Sequence, residues 1–304
     1  MVFRYKGIKY AYPYVPISKK IRAYAQMMRP LTAVAAILSG FSLNYVFASV
    51  SGKGTTLVFS VLVGLVLGLL QAMGQCINQS IREEVEIDRI NKKWRPTVTG
   101  FVSLKEGKIL SLILFLSGVS LAFYLSFSFG IYALVIAFFA VSYTVPPFRM
   151  KKRFILNNVH QGIARGFLPA VYVASAYGYG WLAVLFGIPL AVWVSGSQGS
   201  KDITDVEGDK KFGIRTLPVV LGKDGALKVM FLFMGLSFVI LSVFVGLGWL
   251  PTSFLLLNIL IFPSALIIYA LKKEARTDKF ENSVGWLLYY GVLAGWYVLP
   301  AFLI

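Results

Sequence analysis

The sequence predicts an all-α, polytopic membrane protein of nine transmembrane helices, and three observations lead there. Of 304 residues, 57% are hydrophobic and only 14% charged, with a mean hydropathy of +0.72, a composition foreign to soluble domains. A helix needs about 20 apolar residues to cross the hydrocarbon, and nine such runs can be drawn, at roughly 30–50, 56–80, 109–129, 131–147, 155–177, 181–200, 229–248, 252–271 and 285–304. Basic residues supply the third observation, because short cytoplasmic loops collect Lys and Arg. With the N-terminus inside, 28 of the 30 basic residues fall in inside segments; Lys53 lies in an outside loop and Arg165 within a helix. A different helix count would move later loops to the wrong side and spoil this partition. It also places all 13 acidic residues inside, and the C-terminus outside.

The charge has a simple reading. A net charge of +17 suggests nucleic acid in a soluble protein, but here basic loops orient helices and meet anionic lipid, so no nucleic-acid partner is expected. Cys76 is the sole cysteine, which excludes an intrachain disulfide framework. Residues 1–29 lack the apolar core of a signal peptide; Ile17 to Met28 reads as a basic amphipathic helix lying in the interface. With no linker or low-complexity tract, residues 1–304 form a single membrane domain preceded by that interfacial segment.

The acids are few and clustered. Ten of the 13 lie in two segments, Glu83 to Glu106 and Asp202 to Asp224, each directly after an apolar run. In the second, Asp205 and Asp209 are four residues apart and share a helical face, with Asp202 close by. In the first, Ser80, Glu84 and Asp88 recur every fourth residue and form one stripe if the helix continues regularly out of the membrane. Asn78 lies off that stripe, ten residues before Asp88. The two segments follow the second and sixth spans, an offset that hints at a parallel repeat and would set two half-sites across one cavity. After the fourth span, Pro146 and Pro147 end or kink the helix, and the turn presents Tyr143 with Arg149, Lys151 and further cations at the same membrane face.

Magnesium is usually held by one or two carboxylates plus substrate phosphate oxygens. Carboxylate pairs among Lys and Arg therefore suit a metal-bridged diphosphate, with acids on the metal and cations on the phosphates. An adjoining apolar cavity would take a hydrocarbon tail, so the ligand expected is an isoprenyl diphosphate. Candidate metal ligands are Asp88, Glu84, Asp202, Asp205 and Asp209. Candidate diphosphate contacts are Lys92, Arg95, Arg149, Lys151, Lys201 and Arg215.

The chain resembles the UbiA superfamily of intramembrane prenyltransferases. Asp88-Arg-Ile-Asn-Lys-x-x-Arg-Pro96 looks like the end of that family's first aspartate motif, and Asp205-Val-Glu-Gly-Asp209 with Thr-Leu-Pro218 looks like its second. Tyr143-x-x-Pro-Pro-x-Arg-x-Lys151 is similar to the element after its fourth helix, and Arg29-Pro30 to the start of its first. The resemblance implies nine helices around a lipid-accessible cavity, two magnesium ions with the diphosphate, and prenyl transfer to a hydrophobic acceptor with release of pyrophosphate. One departure is visible: the family's first motif commonly has Asn, Asp and Asp at intervals of four, whereas Asp88 is preceded by Glu84 and Ser80. Asn78 matches a longer, ten-residue spacing in menaquinone-type members, with Arg82 where the middle acid would stand, and this likeness makes Asn78 a further candidate metal ligand. The second motif looks closest to archaeal lipid-ether and chlorophyll-synthase-like members, so a lipid-ether or a quinone precursor is the expected acceptor.

The remaining polar residues divide. Tyr143 either sits in the interfacial belt or turns its ring to the allylic carbon as charge develops, which would make it catalytic with Asp88, Asp205 and Asp209. Arg29, Asn157, Asn158 and Arg165 are candidates to read the acceptor, although the two asparagines could equally cap a helix. His160 reads as a packing residue. The rival of another class is a secondary transporter with inside-facing acidic sites, but transporter sites lie near the bilayer midplane, and here nearly all charges sit at one edge.

Overall fold

In the computed structural model, which describes residues 2–5, 8–11, 16–273 and 284–304, the chain is helical throughout its apolar part. Lys6, Glu274, Arg276, Asp278, Lys279 and Glu281, which entered the charge partition, lie outside the described residues. A two-stranded antiparallel hairpin, β1 (Val2–Tyr5) against β2 (Ile8–Ala11), precedes the helices, so the all-helical expectation applies from residue 16 onward. The amphipathic segment forms α1 (Ile17–Met28), with Ala23 and Met27 buried and Ile17 and Ile21 exposed.

The first half contains α2 (Pro30–Val50), α3 (Leu57–Gln79), the short α4 (Arg82–Asn91), α5 (Leu104–Leu125) and α6 (Phe127–Ser142). Starts are set by ordinary capping. Pro30 occupies the first turn of α2, where its missing N–H costs nothing, and Thr56 Oγ1 accepts from Phe59 N at 3.1 Å. Ser103 and Glu106 form a reciprocal capping box at α5.

The second half begins with α7 (Leu156–Gly162), a π turn at Ile163–Phe167 and α8 (Leu168–Ala174), which together make one continuous but irregular helical stretch. Next come α9 (Gly180–Ser197), extended by a 3-10 run to Thr204, the short α10 (Val206–Lys211) and α11 (Leu217–Gly246). A 3-10 run at Thr252–Leu260 leads into α12 (Ile261–Lys273), and α13 (Val284–Val298) ends in another at Leu299–Phe302. The sequence places residues 201–228 in a loop; the structure fills much of it with α10 and the first turns of α11, interrupted at Gly222, whose φ is +70°.

Among the described residues seven helices are long and apolar enough to cross a membrane, and Phe127–Ser142 is a shorter apolar one. The protein is an integral membrane protein. Leu112, Ile113, Leu116, Phe231, Leu232 and Phe262 are exposed on the outer helices, where lipid rather than water is their solvent. Inside, the α9 residue Trp193 stacks on Tyr289 (5.6 Å, 6°), which stacks in turn on Trp286 (4.8 Å, 5°).

Small residues bring backbones together where side chains would hold them apart. A Cβ on Gly64 would lie 2.4 Å from the Ile37 carbonyl oxygen, and one on Gly40 would lie 2.8 Å from the Cα of Gly64. The close crossing fixes α2 against α3, so that Arg29 at the start of one helix donates from Nη1 to Gln75 Oε1 near the end of the other, at 3.0 Å. Gly64→Val should therefore cost roughly 1–3 kcal/mol by overpacking. A lowered Tm in detergent, compared with Gly235→Val at a position where a Cβ meets nothing within 4 Å, would check it.

Candidate active site

The regular helix expected through Ser80, Glu84 and Asp88 does not exist. Ser80 ends α3, its hydroxyl donates back to the Cys76 carbonyl at 2.6 Å, and a new helix starts at Arg82. A short polar side chain at a helix end readily takes such a bond, which removes Ser80 from the ligand stripe. The break nevertheless leaves Glu84 and Asp88 one turn apart on α4, both buried. It also leaves Asn78 facing the same space from the end of α3, its Oδ1 buried without a partner.

Across from them the second acidic segment turns as expected. Asp205 immediately precedes α10, Asp209 follows one turn later, and the Asp209 N–H donates to the Asp205 carbonyl at 3.0 Å. Two neighbouring side chains join the two segments, Lys92 through its ion pair with Asp205 and Asn91 through hydrogen bonds. Asn91 Nδ2 donates to the Asp205 carbonyl at 2.8 Å, and its Oδ1 accepts from the Gly208 N–H at 3.0 Å. Asn91 and Gly208 lie within the two motifs, and spacing along the chain assigns neither a role. The missed signal was a Gly in the middle of a charged helix: a Cβ there would sit 2.5 Å from Asn91 Nδ2.

Asn78, Glu84, Asp88, Asp205 and Asp209 line one cavity together with Lys92, Arg95, Lys151, Lys201 and Tyr143. Beyond the charged mouth apolar side chains contribute much of the wall, with Ala35, Leu67, Leu70, Ile136, Phe139 and Leu293 from α2, α3, α6 and α13, beside polar ones such as Gln71 and Gln161. The cavity can thus hold a charged head at its mouth and a long hydrocarbon inside.

Buried carboxylates need counter-charges, and each of these acids except Asp209 has an ion pair. Arg95 Nη1 donates to Asp88 Oδ2 at 2.8 Å, Lys92 to Asp205, and Lys151 to Glu84. The loop after α6 delivers Lys151 by folding back, its backbone N–H donating to the Tyr143 carbonyl at 3.0 Å. Burial would raise the Asp205 carboxyl, but Lys92, with Lys201 and Arg95 behind it, holds it below the usual carboxylate range. Asp209 goes the other way, pushed up to about 7 by burial and by the Asp205 carboxylate beside it. Burial likewise raises Asp88, against Arg95 and Lys92.

The donors fit magnesium. All are hard oxygens, as that ion prefers, and the partnerless Asn78 Oδ1 adds a neutral one. No three acidic, His or Cys side chains among the described residues converge as a ready cage, which matches an ion that takes one or two carboxylates and completes its shell with water and phosphate.

Five of the sequence candidates stand away from the cavity. Asp202 is buried behind it and paired with Lys201, where it serves as a counter-ion to a lining cation rather than as a lining acid. Arg149 is turned to Glu83 at 2.5 Å and Glu84 at 3.2 Å. The Arg215 guanidinium lies over Phe154, 6.0 Å from its centroid. Asn157 and Asn158 are buried away from the lining and cap nothing; Asn158 Nδ2 instead donates to the Ser195 carbonyl at 2.9 Å, tying α7 to α9. Arg29 and Arg165 do reach the cavity. Tyr143 lines it with its ring stacked on His160 at 5.7 Å and Lys201 Nζ 5.8 Å from its centroid. His160 bonds Ser142 Oγ at 3.0 Å, the packing role expected of it.

The Asn91 link gives a direct test. Gly208→Ala should separate the two acidic segments without disturbing the spans, weakening magnesium-dependent binding of an isoprenyl diphosphate roughly tenfold or more, the equivalent of one or two lost hydrogen bonds. Binding by calorimetry, beside an unchanged Tm, is the measurement; unaltered affinity would remove the link from the site.

Comparison with known proteins places this arrangement. The family profile described as UbiA prenyltransferase family matches residues 32–288. Digeranylgeranylglyceryl phosphate synthase of Pyrococcus abyssi is 30% identical over 241 residues, 76% of this chain and 82% of that protein. The enzyme of the same name from Thermococcus gammatolerans is 32% identical over 225 residues, 73% and 77%. Among solved structures, a UbiA homolog from Archaeoglobus fulgidus bound to GPP and Mg2+ superposes with a TM-score of 0.72 at 18% identity, over 92% of this chain and 98% of that one, which shows the fold. A digeranylgeranylglyceryl phosphate synthase structure superposes with a TM-score of 0.57 at 25% identity, over 93% and 99%. The chain belongs to the UbiA prenyltransferase family.

Proposed function

We propose that this prenyltransferase moves a geranylgeranyl group from geranylgeranyl diphosphate to a hydroxyl of a glycerol-based lipid phosphate, releasing pyrophosphate. The observation that carries this reading is one cavity that brings both acidic motifs and four cations together with an apolar stretch of wall from α2, α3, α6 and α13. The acceptor class follows the relatives, which carry the name digeranylgeranylglyceryl phosphate synthase.

The residues divide the work. Asp88 with Glu84 and Asn78 on one side, and Asp205 with Asp209 on the other, would hold two magnesium ions, which supply neutralisation of charge growing on the leaving diphosphate. Lys92, Arg95, Lys151 and Lys201 exchange carboxylate partners for phosphate oxygens. The bond between the allylic carbon and the diphosphate oxygen breaks, that carbon bonds the acceptor oxygen, and the hydroxyl proton passes to the departing pyrophosphate. The Tyr143 ring, held by His160, faces the developing allylic cation and stabilises it by up to about 2 kcal/mol in a dry site. Arg29 and Arg165 line the wall shared with the acceptor.

Counting Phe127–Ser142 and the irregular stretch 156–174 with the seven longer spans gives nine crossings. The basic loops then put the N-terminus and the site on the cytoplasmic side and the C-terminus outside. A charged head kept at that edge avoids the several kcal/mol of dragging it to the midplane.

Asp88→Ala, Asp205→Ala and Asp209→Ala should each lower magnesium-dependent pyrophosphate release by orders of magnitude in folded protein; near-wild-type rates at saturating magnesium would remove that residue from the site. In the same assay, a larger loss for Glu84→Gln than for Asn78→Ala would favour the spacing of four, and the reverse order the spacing of ten. An acceptor screen of a lipid phosphate against an aromatic acid separates lipid-ether from quinone-precursor chemistry.

A further inference from the structure

The cations at the cavity mouth are matched by carboxylates, but a deeper one is not. Arg165 lies nine residues past Leu156, roughly 13 Å further along the helix, on a wall that Gln161 and Pro169 share. A guanidinium at membrane depth is costly and calls for a partner. Its Nη1 donates to Tyr290 Oη at 2.8 Å, and its carbonyl accepts from Tyr297. These are neutral phenols, and no acid among the described residues forms a salt bridge with it. The backbone is built around this side chain. A Cβ on Gly162 would lie 2.5 Å from the Ala191 carbonyl oxygen, and one on Gly166 2.6 Å from Ala191 Cα, so the two glycines press one face of the stretch against α9. Between them the helix opens into the π turn Ile163–Phe167, a distortion found most often at functional sites, and Arg165 emerges from that turn into the cavity. Behind its phenol partner, the Trp286–Tyr289–Trp193 stack leaves little room to move away.

We infer that Arg165 is the specificity residue for the acceptor: it binds the phosphate monoester of the acceptor lipid, at a second anion subsite below the one that takes the donor diphosphate. A guanidinium suits that group because it can offer two parallel N–H donors to a phosphate, and its positive charge in the cavity wall is balanced only when the acceptor carries an anion. The inference deepens the function proposed above and rests on the acceptor binding in this cavity.

Binding and turnover test it separately. The full chain in nanodiscs is titrated, without donor, with geranylgeranylglyceryl phosphate and with its dephosphorylated alcohol. Wild type should bind the phosphate at least about tenfold tighter than the alcohol, and Arg165→Gln should abolish that ratio while leaving the magnesium-dependent affinity for geranylgeranyl diphosphate unchanged. Arg165→Lys, which keeps the charge and loses the fork, should lose about threefold to tenfold and serves where the glutamine variant does not fold; Tm reports folding in each. Equal affinities in wild type, a ratio unchanged in both variants, or a parallel loss of donor binding overturns the inference. Selective, Arg165-dependent binding of the lipid phosphate without its prenylation would uphold the subsite and sink the proposed acceptor instead.

Discussion

A carboxylate taken out of water at the edge of a membrane persists only beside a positive charge, and this molecule depends on that constraint. Glu84, Asp88, Asp202 and Asp205 are buried or nearly so, and each is held by a Lys or Arg. Breaking one such pair leaves an uncompensated buried charge, a cost of several kcal/mol. The pairs cross element boundaries: Lys151 reaches α4 from the loop after α6, and Lys92, just past α4, reaches Asp205 at the start of α10. Neutralisation therefore also holds three separate segments around one opening. Under the function proposed above, a metal with a diphosphate would present the same balance of charges and replace these internal partners group by group.

The neutral framework sets the distances at which those charges meet. Asn91 hydrogen-bonds the Asp205 carbonyl and the Gly208 N–H, which requires the two short helices to approach within side-chain length. Gly40 and Gly64 do the same for α2 and α3, bringing Arg29 and Asn78 to the cavity from consecutive helix ends. Away from this layer the lining becomes more apolar, with Ala35, Leu67, Leu70, Ile136 and Leu293, although Gln71, Gln161, Arg165 and the tyrosines of α13 keep polar groups in it. The gradient from paired charges to hydrocarbon over a single cavity is what an amphiphilic diphosphate needs. An arrangement of charges at the bilayer midplane, as a transporter would use, is not what the family or the geometry presents.

Backbone irregularities coincide with the side chains that matter. The break at Ser80 and Ile81 lets α4 turn its acids inward, where a straight continuation of α3 would carry them outward into water. The π turn at Ile163–Phe167 places Arg165 in the wall. Each distortion gives up some regular helical hydrogen bonding, and each has a local compensation: the Ser80 hydroxyl returns to Cys76, and Tyr297 donates to the Arg165 carbonyl.

By itself the sequence determined the membrane-spanning character and the two acidic segments, and it singled out Asp88, Asp205 and Asp209 as candidates, because hydropathy, helical spacing and charge at a membrane edge are local properties that composition records directly. It also marked Lys92, Arg95, Lys151 and Lys201, since cations beside buried acids have few other uses. Only the tertiary structure decided which charges face the cavity. Asp202, Arg149, Arg215, Asn157 and Asn158 carry the same chemistry in sequence as the residues that line it, yet ion pairs and packing turn them elsewhere, and that choice depends on partners up to 66 residues away, as for Arg149 and Glu83. The Asn91 link and the π turn beneath Arg165 were hidden for the same reason, since each arises from contact between segments, which no periodicity along the chain encodes; the break at Ser80 turns instead on a local bond from its hydroxyl to the Cys76 carbonyl.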